Sequence, residues 1–199
     1  MGQAGVAPRE KKATRLRACL VFVDESGLLM APFVRRSWAP RGHTPLLSQR
    51  TRTHQKLSII AALCVSPRRD RVHLYFRLHP QTNIATPQVI DFLRQLRRQV
   101  RSPLVLVWDR LRAHRSKSVS QFVEQTPSLH TVLLPPYAPE LNPVEMVWGY
   151  LQTNPLANSP FFDLPTLTAT SRHHGRRLQR RQLLLRSFIR HGPLPVRLR

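Results

Sequence analysis

Residues 86–109 read TPQVIDFLRQLRRQVRSPLVLVWD, and the change of pattern within this stretch decides the fold. In its first part, apolar side chains recur at helical spacing with arginines on the opposite side; they are Val89, Ile90, Leu93, Leu96 and Val100. Thr86-Pro87 is typical of a helix start. The second part, PLVLVW, is a continuous apolar run of strand length that ends at Asp109. The stretch therefore predicts a helix followed by a buried strand.

The elements on either side extend this architecture. Four strand-like runs come first: residues 18–23, which lead into the turn-forming sequence Asp24-Glu25-Ser26-Gly27, then 28–34, 56–65 and 71–78. After Asp109 the pattern predicts a short helix over 116–125, a strand over 130–134 and a helix over 139–152. Antiparallel strands followed by alternating helices and strands predict an α/β fold, with a mixed sheet and helices on both faces.

The chain has 199 residues, enough for one sizeable domain with its own core. We expect this domain at residues 18–160, after a basic, flexible lead-in at 1–17. Residues 161–199 are expected to be a basic C-terminal tail with a helix, and residues 166–175 within it look irregular.

Several protein classes are disfavoured. No run approaches the roughly 18 apolar residues that span a bilayer, and the polar N-terminus lacks the apolar core of a secretory signal. Cys19 and Cys64 lie in apolar runs without a CxxC pair, which indicates buried thiols in a reducing compartment and no zinc site. We therefore expect a soluble, cytoplasmic protein with no membrane partner.

Charge is the unusual feature of the composition. Thirty-two basic residues against ten acidic ones give a formal net charge of +22. Such a surface binds polyanions through counterion release. Arginine outnumbers lysine 28 to 4, and a GC-rich genome favours arginine codons without selection for DNA binding. The charge alone leaves both explanations open.

The few acids are more informative because a cationic protein keeps an acid mainly where one is required. Asp24 and Asp109 follow apolar strands, and Glu145 lies in the helix after the last strand. Two acids at strand ends and a third on an adjacent helix can converge above a sheet. Such carboxylates are hard oxygen ligands suited to Mg²⁺ or Mn²⁺. Taken singly, each acid is more typical of a cap, a turn or a solvated helix face.

Four motifs resemble those of one known family. LPPYAPELNPVE at 134–145, followed by Trp148, closely resembles the third-acid motif of mariner-like bacterial insertion-sequence transposases, which are DDE superfamily endonucleases. FVDESG at 22–27 looks like their first-acid motif, and WAPRG at 38–42 with Pro45 resembles the segment after it. VWD at 107–109 with HRS at 114–116 is similar to the second-acid motif.

The resemblance implies an RNase H-like fold over about residues 18–160. It implies that Asp24, Asp109 and Glu145 are catalytic metal ligands for Mg²⁺ or Mn²⁺, with two ions expected. The implied activity is DNA cleavage at transposon ends, followed by strand transfer to target DNA. The implied partners are those DNAs and a second copy of the chain when DNA is bound, and the implied location is the bacterial nucleoid.

Other residues of the motifs are expected to support the site. Asn142 is expected to cap the helix that carries Glu145 or to hold a turn. Trp148 is expected to pack in the core rather than stack on DNA. Glu25 is expected to point away from Asp24 if the strand continues through both residues. His114 is expected either to contact a phosphate or assist proton movement, or to be a surface loop residue.

The sequence also departs from the family pattern. Arg110 stands where the family usually has an asparagine after its second acid. The resemblance further implies a helix-turn-helix part that reads transposon ends, which the 17-residue lead-in cannot supply. We expect that part to be separately encoded, or the chain to be a truncated copy. Two alternatives stay open: a structure-specific nuclease or resolvase, disfavoured by the proline-rich third motif, and an inactive relic that only binds DNA.

Overall fold

The structure is a computed structural model that describes residues 13–30, 34–36, 38–44, 46, 55–192, 194 and 196–199. Most of the predicted lead-in, residues 1–12, lies outside the described residues, and so does Pro45, which follows the WAPRG segment. The strands are β1 (Cys19–Leu29), β2 (Lys56–Val65), β3 (Val72–Pro80), β4 (Leu104–Trp108) and β5 (Leu129–Leu133). The helices are α1 (Thr86–Gln99), α2 (Lys117–Glu124), α3 (Val144–Thr153), α4 (Leu164–Gln179) and α5 (Gln182–His191), and a 3-10 turn spans Pro139–Leu141.

The sheet is mixed, as predicted. Its strand order is β3-β2-β1-β4-β5. The pairs β1–β2 and β2–β3 are antiparallel, while β1–β4 and β4–β5 are parallel. The parallel half follows from α1 and α2, because strands joined by a helical crossover return in the same direction. The carboxyl end of β4 therefore lies beside the middle of β1, where the last pair is Phe22↔Val107.

Strand β1 is longer than the sequence predicts. The predicted turn at Asp24-Glu25-Ser26-Gly27 is wrong, because β1 continues to Leu29. Leu28 and Leu29 therefore belong to β1 and do not start a second strand, while residues 31–33 of the strand predicted over 28–34 lie outside the described residues. The pairing of β1 with β2 runs without a break from Leu20↔Val65 to Leu29↔Lys56. A ladder of this length outweighs the local turn preference of Gly27, which pairs with Ser58. Asp24 therefore lies within β1 and not at its end.

Helices cover both faces of the sheet, as predicted. One face of β1, which carries Leu20 and Phe22, packs into a core with side chains of α3, α4 and α5. The other face, which carries Val21 and Val23, packs with side chains of α1 and α2. This alternation along a single strand is why β1 reads as a continuous apolar run.

The C-terminal segment differs from the irregular stretch and single helix that its sequence suggests. Residues 166–175 are helical and belong to α4. Asp163 caps α4 by accepting a hydrogen bond from the Thr166 N–H, and Leu167 and Leu178 are buried. Phe188 of α5 is buried in the same core. Burial of this apolar face, which local composition does not reveal, stabilises both helices. The domain boundary at residue 160 stays a prediction.

No helix among the described residues is long and apolar enough to cross a membrane.

Gly175 of α4 tests the packing of that helix on β3, and the exposed Gly149 of α3 is the matched control. Replacing glycine by alanine within a helix stabilises it by about 0.5–1 kcal/mol. Gly149→Ala should therefore raise the free energy of unfolding, because nothing lies within 4 Å of an added Cβ there. Gly175→Ala should lower it, because the added Cβ would lie 2.5 Å from Cζ of Phe76 on β3. Urea unfolding of both variants measures the contrast, and an equal gain in both would contradict this packing.

Candidate active site

The three predicted site residues lie on three different elements and line one cleft of about 570 Å³. Asp24 lies in β1, Asp109 directly follows β4, and Glu145 is in the first turn of α3. The chain between β5 and α3 forms much of the rest of the wall, with Pro135, Pro136, Tyr137, Ala138, Pro139 and Asn142. The structure thus brings together the three acids that the sequence singles out.

Asp24 is the most buried of the three carboxylates. Its Oδ2 accepts a hydrogen bond of 2.7 Å from Nε1 of Trp148. Burial raises the pKa of Asp24 to about 7, with smaller contributions from the neighbouring charges of Glu25 and Glu145, while the Trp148 hydrogen bond opposes the rise. The packing role predicted for Trp148 is confirmed, since its side chain is 4% exposed. Its hydrogen bond to Asp24 is a contact that the sequence analysis missed.

Asn142 fixes the start of α3 against β1. Its Nδ2 donates a hydrogen bond of 2.9 Å to the carbonyl of Val23, and its Oδ1 accepts one of 3.3 Å from the Val144 N–H. The side chain is buried, so both bonds are shielded from water. Asn142 therefore holds the turn before α3, as predicted, and places Glu145 beside the strand that carries Asp24.

Asp109 is held by the loop that follows β4. Its Oδ1 accepts hydrogen bonds from the Leu111 N–H at 2.9 Å and from Nδ1 of His114 at 2.7 Å. The His114 hydrogen bond, helped by the one from Leu111, lowers the pKa of Asp109 below its ordinary value. Asp109 is therefore ionised at neutral pH.

His114 also contacts Glu25, on the opposite face of β1 from Asp24. Its Nε2 lies 2.9 Å from Oε1 of Glu25. Burial alone would lower the pKa of His114, but the hydrogen bonds to Asp109 and Glu25 outweigh burial and raise this pKa to about 9. The ring is therefore an imidazolium at neutral pH and donates from both nitrogens. A surface loop histidine, one of the predicted alternatives, is wrong because His114 is 4% exposed.

Glu145 and two arginines complete the cleft. Partial desolvation raises the pKa of Glu145. Arg110 and Arg115 line the same cleft, and Nε of Arg110 donates a hydrogen bond of 3.2 Å to the carbonyl of Leu134. Arg110 therefore ties the end of β4 to the proline-rich wall, a role that the sequence pattern does not reveal.

The donor chemistry of the cleft fits a hard divalent cation. Three carboxylates face it, and their mutual repulsion is relieved best by a cation. Within the described part of the chain, no three Asp, Glu, His or Cys side chains are already close enough together to hold a metal ion as they stand. The three acids thus share a cleft without meeting at one point, and their side chains would have to move closer together to bind one metal ion.

The raised pKa of Asp24 predicts a pH-dependent stability cost. In the unfolded chain this carboxyl ionises near its ordinary pKa of 3.8, and in the folded protein only near 7. Folding therefore disfavours ionised Asp24, and the cost grows from pH 4 to a full value above pH 7. In EDTA, Asp24→Asn should be more stable than the wild type by a few kcal/mol at pH 8, and equally stable near pH 4. Thermal unfolding across this range measures it. The exposed Glu140→Gln is the control, and an Asp24→Asn gain that does not change with pH would contradict the prediction.

Comparison with known proteins identifies the family and the fold of the chain. The family model described as DDE superfamily endonuclease matches residues 19–168, more than half of the chain. No curated protein sequence matches the chain significantly.

Among solved structures, the Mos1 mariner paired end complex with Mn is 15% identical, with a TM-score of 0.66 over 97% of this chain and 60% of that one. The paired end complex with Mg is 14% identical, with a TM-score of 0.64 over 96% of this chain and 60% of that one. The Mos1 strand transfer complex is 15% identical, with a TM-score of 0.60 over 84% of this chain and 53% of that one.

The chain thus spans between about half and three fifths of the Mos1 chains that it matches. At these identities the matches show the fold alone, and that fold is the predicted RNase H-like one. The family model covers all three acids of the cleft. This chain belongs to the DDE superfamily endonucleases.

Proposed function

We propose that this chain is the catalytic domain of a transposase, which cleaves DNA at transposon ends and transfers the freed strand to target DNA. The observation that carries the proposal is the set of three carboxylates, Asp24, Asp109 and Glu145, on three elements around one cleft. In a DDE superfamily endonuclease this arrangement has a direct chemical use, because phosphoryl transfer between DNA strands needs charge neutralisation and an activated oxygen nucleophile.

Asp24, Asp109 and Glu145 would together hold Mg²⁺ or Mn²⁺, with two ions expected. The bound cations supply Lewis-acid activation of water or a 3′-hydroxyl and neutralise charge on the leaving oxygen. The surrounding residues keep the ligands in place. Trp148 fixes one oxygen of Asp24, while Asn142 fixes the helix that carries Glu145. Asp24 on a strand and Glu145 on a helix are more precisely positioned than ligands on loops. Asp109 directly follows β4 and is held by its hydrogen bonds from Leu111 and His114.

Both the net charge of the chain and the arginines of the cleft support DNA as the partner. A formal net charge of +22 favours DNA over the whole surface. In the cleft, Arg110 and Arg115 line the same wall as the acids and would contact DNA phosphates. We further propose association with the bacterial nucleoid, a homodimer on DNA, and cooperation with a helix-turn-helix part that reads the transposon ends.

A nicking assay tests the proposed chemistry. Wild-type protein should nick supercoiled plasmid at moderate salt when Mg²⁺ or Mn²⁺ is present, and EDTA should stop it. Asp109→Ala and Glu145→Gln should reduce nicking to the EDTA background, because each removes a metal ligand. DNA binding, measured in parallel, should be kept, because the surface arginines are unchanged.

The matched control is Glu140→Gln, which makes the same chemical change five residues from Glu145. Glu140 is exposed and does not line the cleft, so its variant should nick like the wild type. Equal DNA binding by all variants with no nicking by any of them would instead support the alternative, an inactive relic that only binds DNA.

Tyr137 is the residue of the cleft wall best placed to contact a DNA base. Its side chain is fully exposed, and its backbone φ is +55°, a conformation that residues other than glycine rarely adopt. The prolines at 135, 136 and 139 stiffen this turn. A strained backbone that presents an aromatic ring to solvent at the rim of a cleft is typical of a functional site.

We predict that the Tyr137 ring stacks on a base of single-stranded DNA. Tyr137→Ala should weaken binding of a short oligonucleotide about 10-fold, while Tyr137→Phe should bind like the wild type. Both variants keep a Cβ, so the backbone strain is the same in each. Quenching of a 2-aminopurine base in the oligonucleotide measures the stacking. Quenching that persists in Tyr137→Ala would contradict this role.

A further inference from the structure

The strands that carry Asp24 and Asp109 are not bonded to each other at the level of these acids. Backbone pairing between β1 and β4 runs from Cys19↔Leu104 to Phe22↔Val107 and stops there. Beyond this point no backbone pair links β1 to the end of β4, so side-chain contacts help to set the separation of Asp24 and Asp109.

His114 spans this gap. Its Nδ1 bonds Asp109 at the end of β4, and its Nε2 bonds Glu25, the neighbour of Asp24 on β1. The ring also stacks on Trp108, with centroids 4.4 Å apart and planes within 9° of parallel. Because Trp108 is itself buried, the imidazole has little freedom to turn.

The bonds select one oxygen of Asp109. Both the Leu111 N–H and the His114 ring donate to Oδ1, and no described residue donates a hydrogen bond to Oδ2. A carboxylate held in this way by one oxygen keeps the other available to a ligand in the cleft.

His114 itself lies outside the cleft. It lines a neighbouring cavity of about 400 Å³, which lies against α2 and β5, and it is absent from the wall that Asp24, Asp109 and Glu145 form. Both of its ring nitrogens are engaged by Asp109 and Glu25, so its route to a metal ion in the cleft is through Asp109.

We propose that His114, backed by Glu25, is a positioning residue that bridges β1 and β4 and holds Asp109 with its Oδ2 free to bind a divalent cation. The inference rests on the proposed function. Nδ1 of the ring sets the geometry of Asp109, while Nε2 and Glu25 anchor the ring to β1. If His114 only filled space in the core, replacing either ring nitrogen would have the same effect on metal binding.

Two amide substitutions separate the two ring nitrogens. The side-chain amide of asparagine can replace the Nδ1 donor, and that of glutamine reaches the Nε2 position. His114→Asn should keep the hold on Asp109, and His114→Gln should lose it. Binding of Mn²⁺ to the full chain, followed by electron paramagnetic resonance of the free ion, is a readout independent of catalysis.

The expected result is a Mn²⁺ affinity about 10- to 100-fold weaker in His114→Gln, the range found when a residue that orients a metal ligand is changed. His114→Asn should stay within a few-fold of the wild type. Glu25→Gln keeps an acceptor for Nε2 and should lose less affinity than His114→Gln. It provides a second comparison if either His114 variant fails to fold.

The outcomes separate the two proposals. Equal Mn²⁺ affinities in wild type, His114→Asn, His114→Gln and Glu25→Gln, together with a loss in Asp109→Ala, would overturn the positioning role and leave the metal site intact. Equal losses in the two His114 variants would also overturn it, because a purely structural role predicts that result. Wild-type Mn²⁺ binding that Asp109→Ala does not weaken would overturn the proposed function and this inference with it.

Discussion

The antiparallel ladder between β1 and β2 is the constraint on which the site depends. It continues to Leu29↔Lys56, whereas the parallel pairing of β1 with β4 stops at Phe22↔Val107. Strand β1 is therefore held straight along one edge while its other edge is open beyond Phe22. Asp24 lies two residues past that point, where β1 is paired with β2 on one side and has no backbone pair with β4 on the other. A strand that ended at Asp24 would have left this carboxylate on a turn.

An open strand edge leaves polar groups that need partners, and here the partners belong to the site. The carbonyl of Val23 accepts from Asn142, and the Asp24 carboxylate accepts from Trp148. Both donors belong to the segment that carries Glu145. On the other face, Glu25 reaches the loop after β4 through His114. The contacts of β1 beyond its last pair with β4 are thus also contacts that tie it to the segments carrying Glu145 and Asp109.

Helices and strands with a strong apolar period could be predicted from the sequence. The length of β1 and the contacts between distant residues could not. The bounds of β2 were predicted to the residue and those of α1 to within one, because each has a strong period and buries its own apolar side chains. The turn read at Asp24-Glu25-Ser26-Gly27 was wrong because long-range pairing overrides local preference. Asp24, Asp109 and Glu145 could be singled out because acids are scarce and their motifs are specific. The bridge from Glu25 to His114 could not, since 89 residues separate its partners and only the fold brings them together.

The basic surface of the chain attracts phosphates, whereas the acidic cleft repels them. The formal net charge is +22, yet four of the ten acids, Asp24, Glu25, Asp109 and Glu145, lie in or beside one cleft. Without a cation, this cleft is an unfavourable place for a phosphate on a surface that otherwise attracts phosphates. Arg110 and Arg115 line the cleft and offset part of the repulsion. The charge of His114 is already paired with Asp109 and Glu25. Under the proposed function, DNA affinity therefore comes from the arginine-rich surface and falls with salt, whereas entry of the reacting phosphate depends on the divalent cation. Binding and cleavage are in this way governed by different charges of the same molecule.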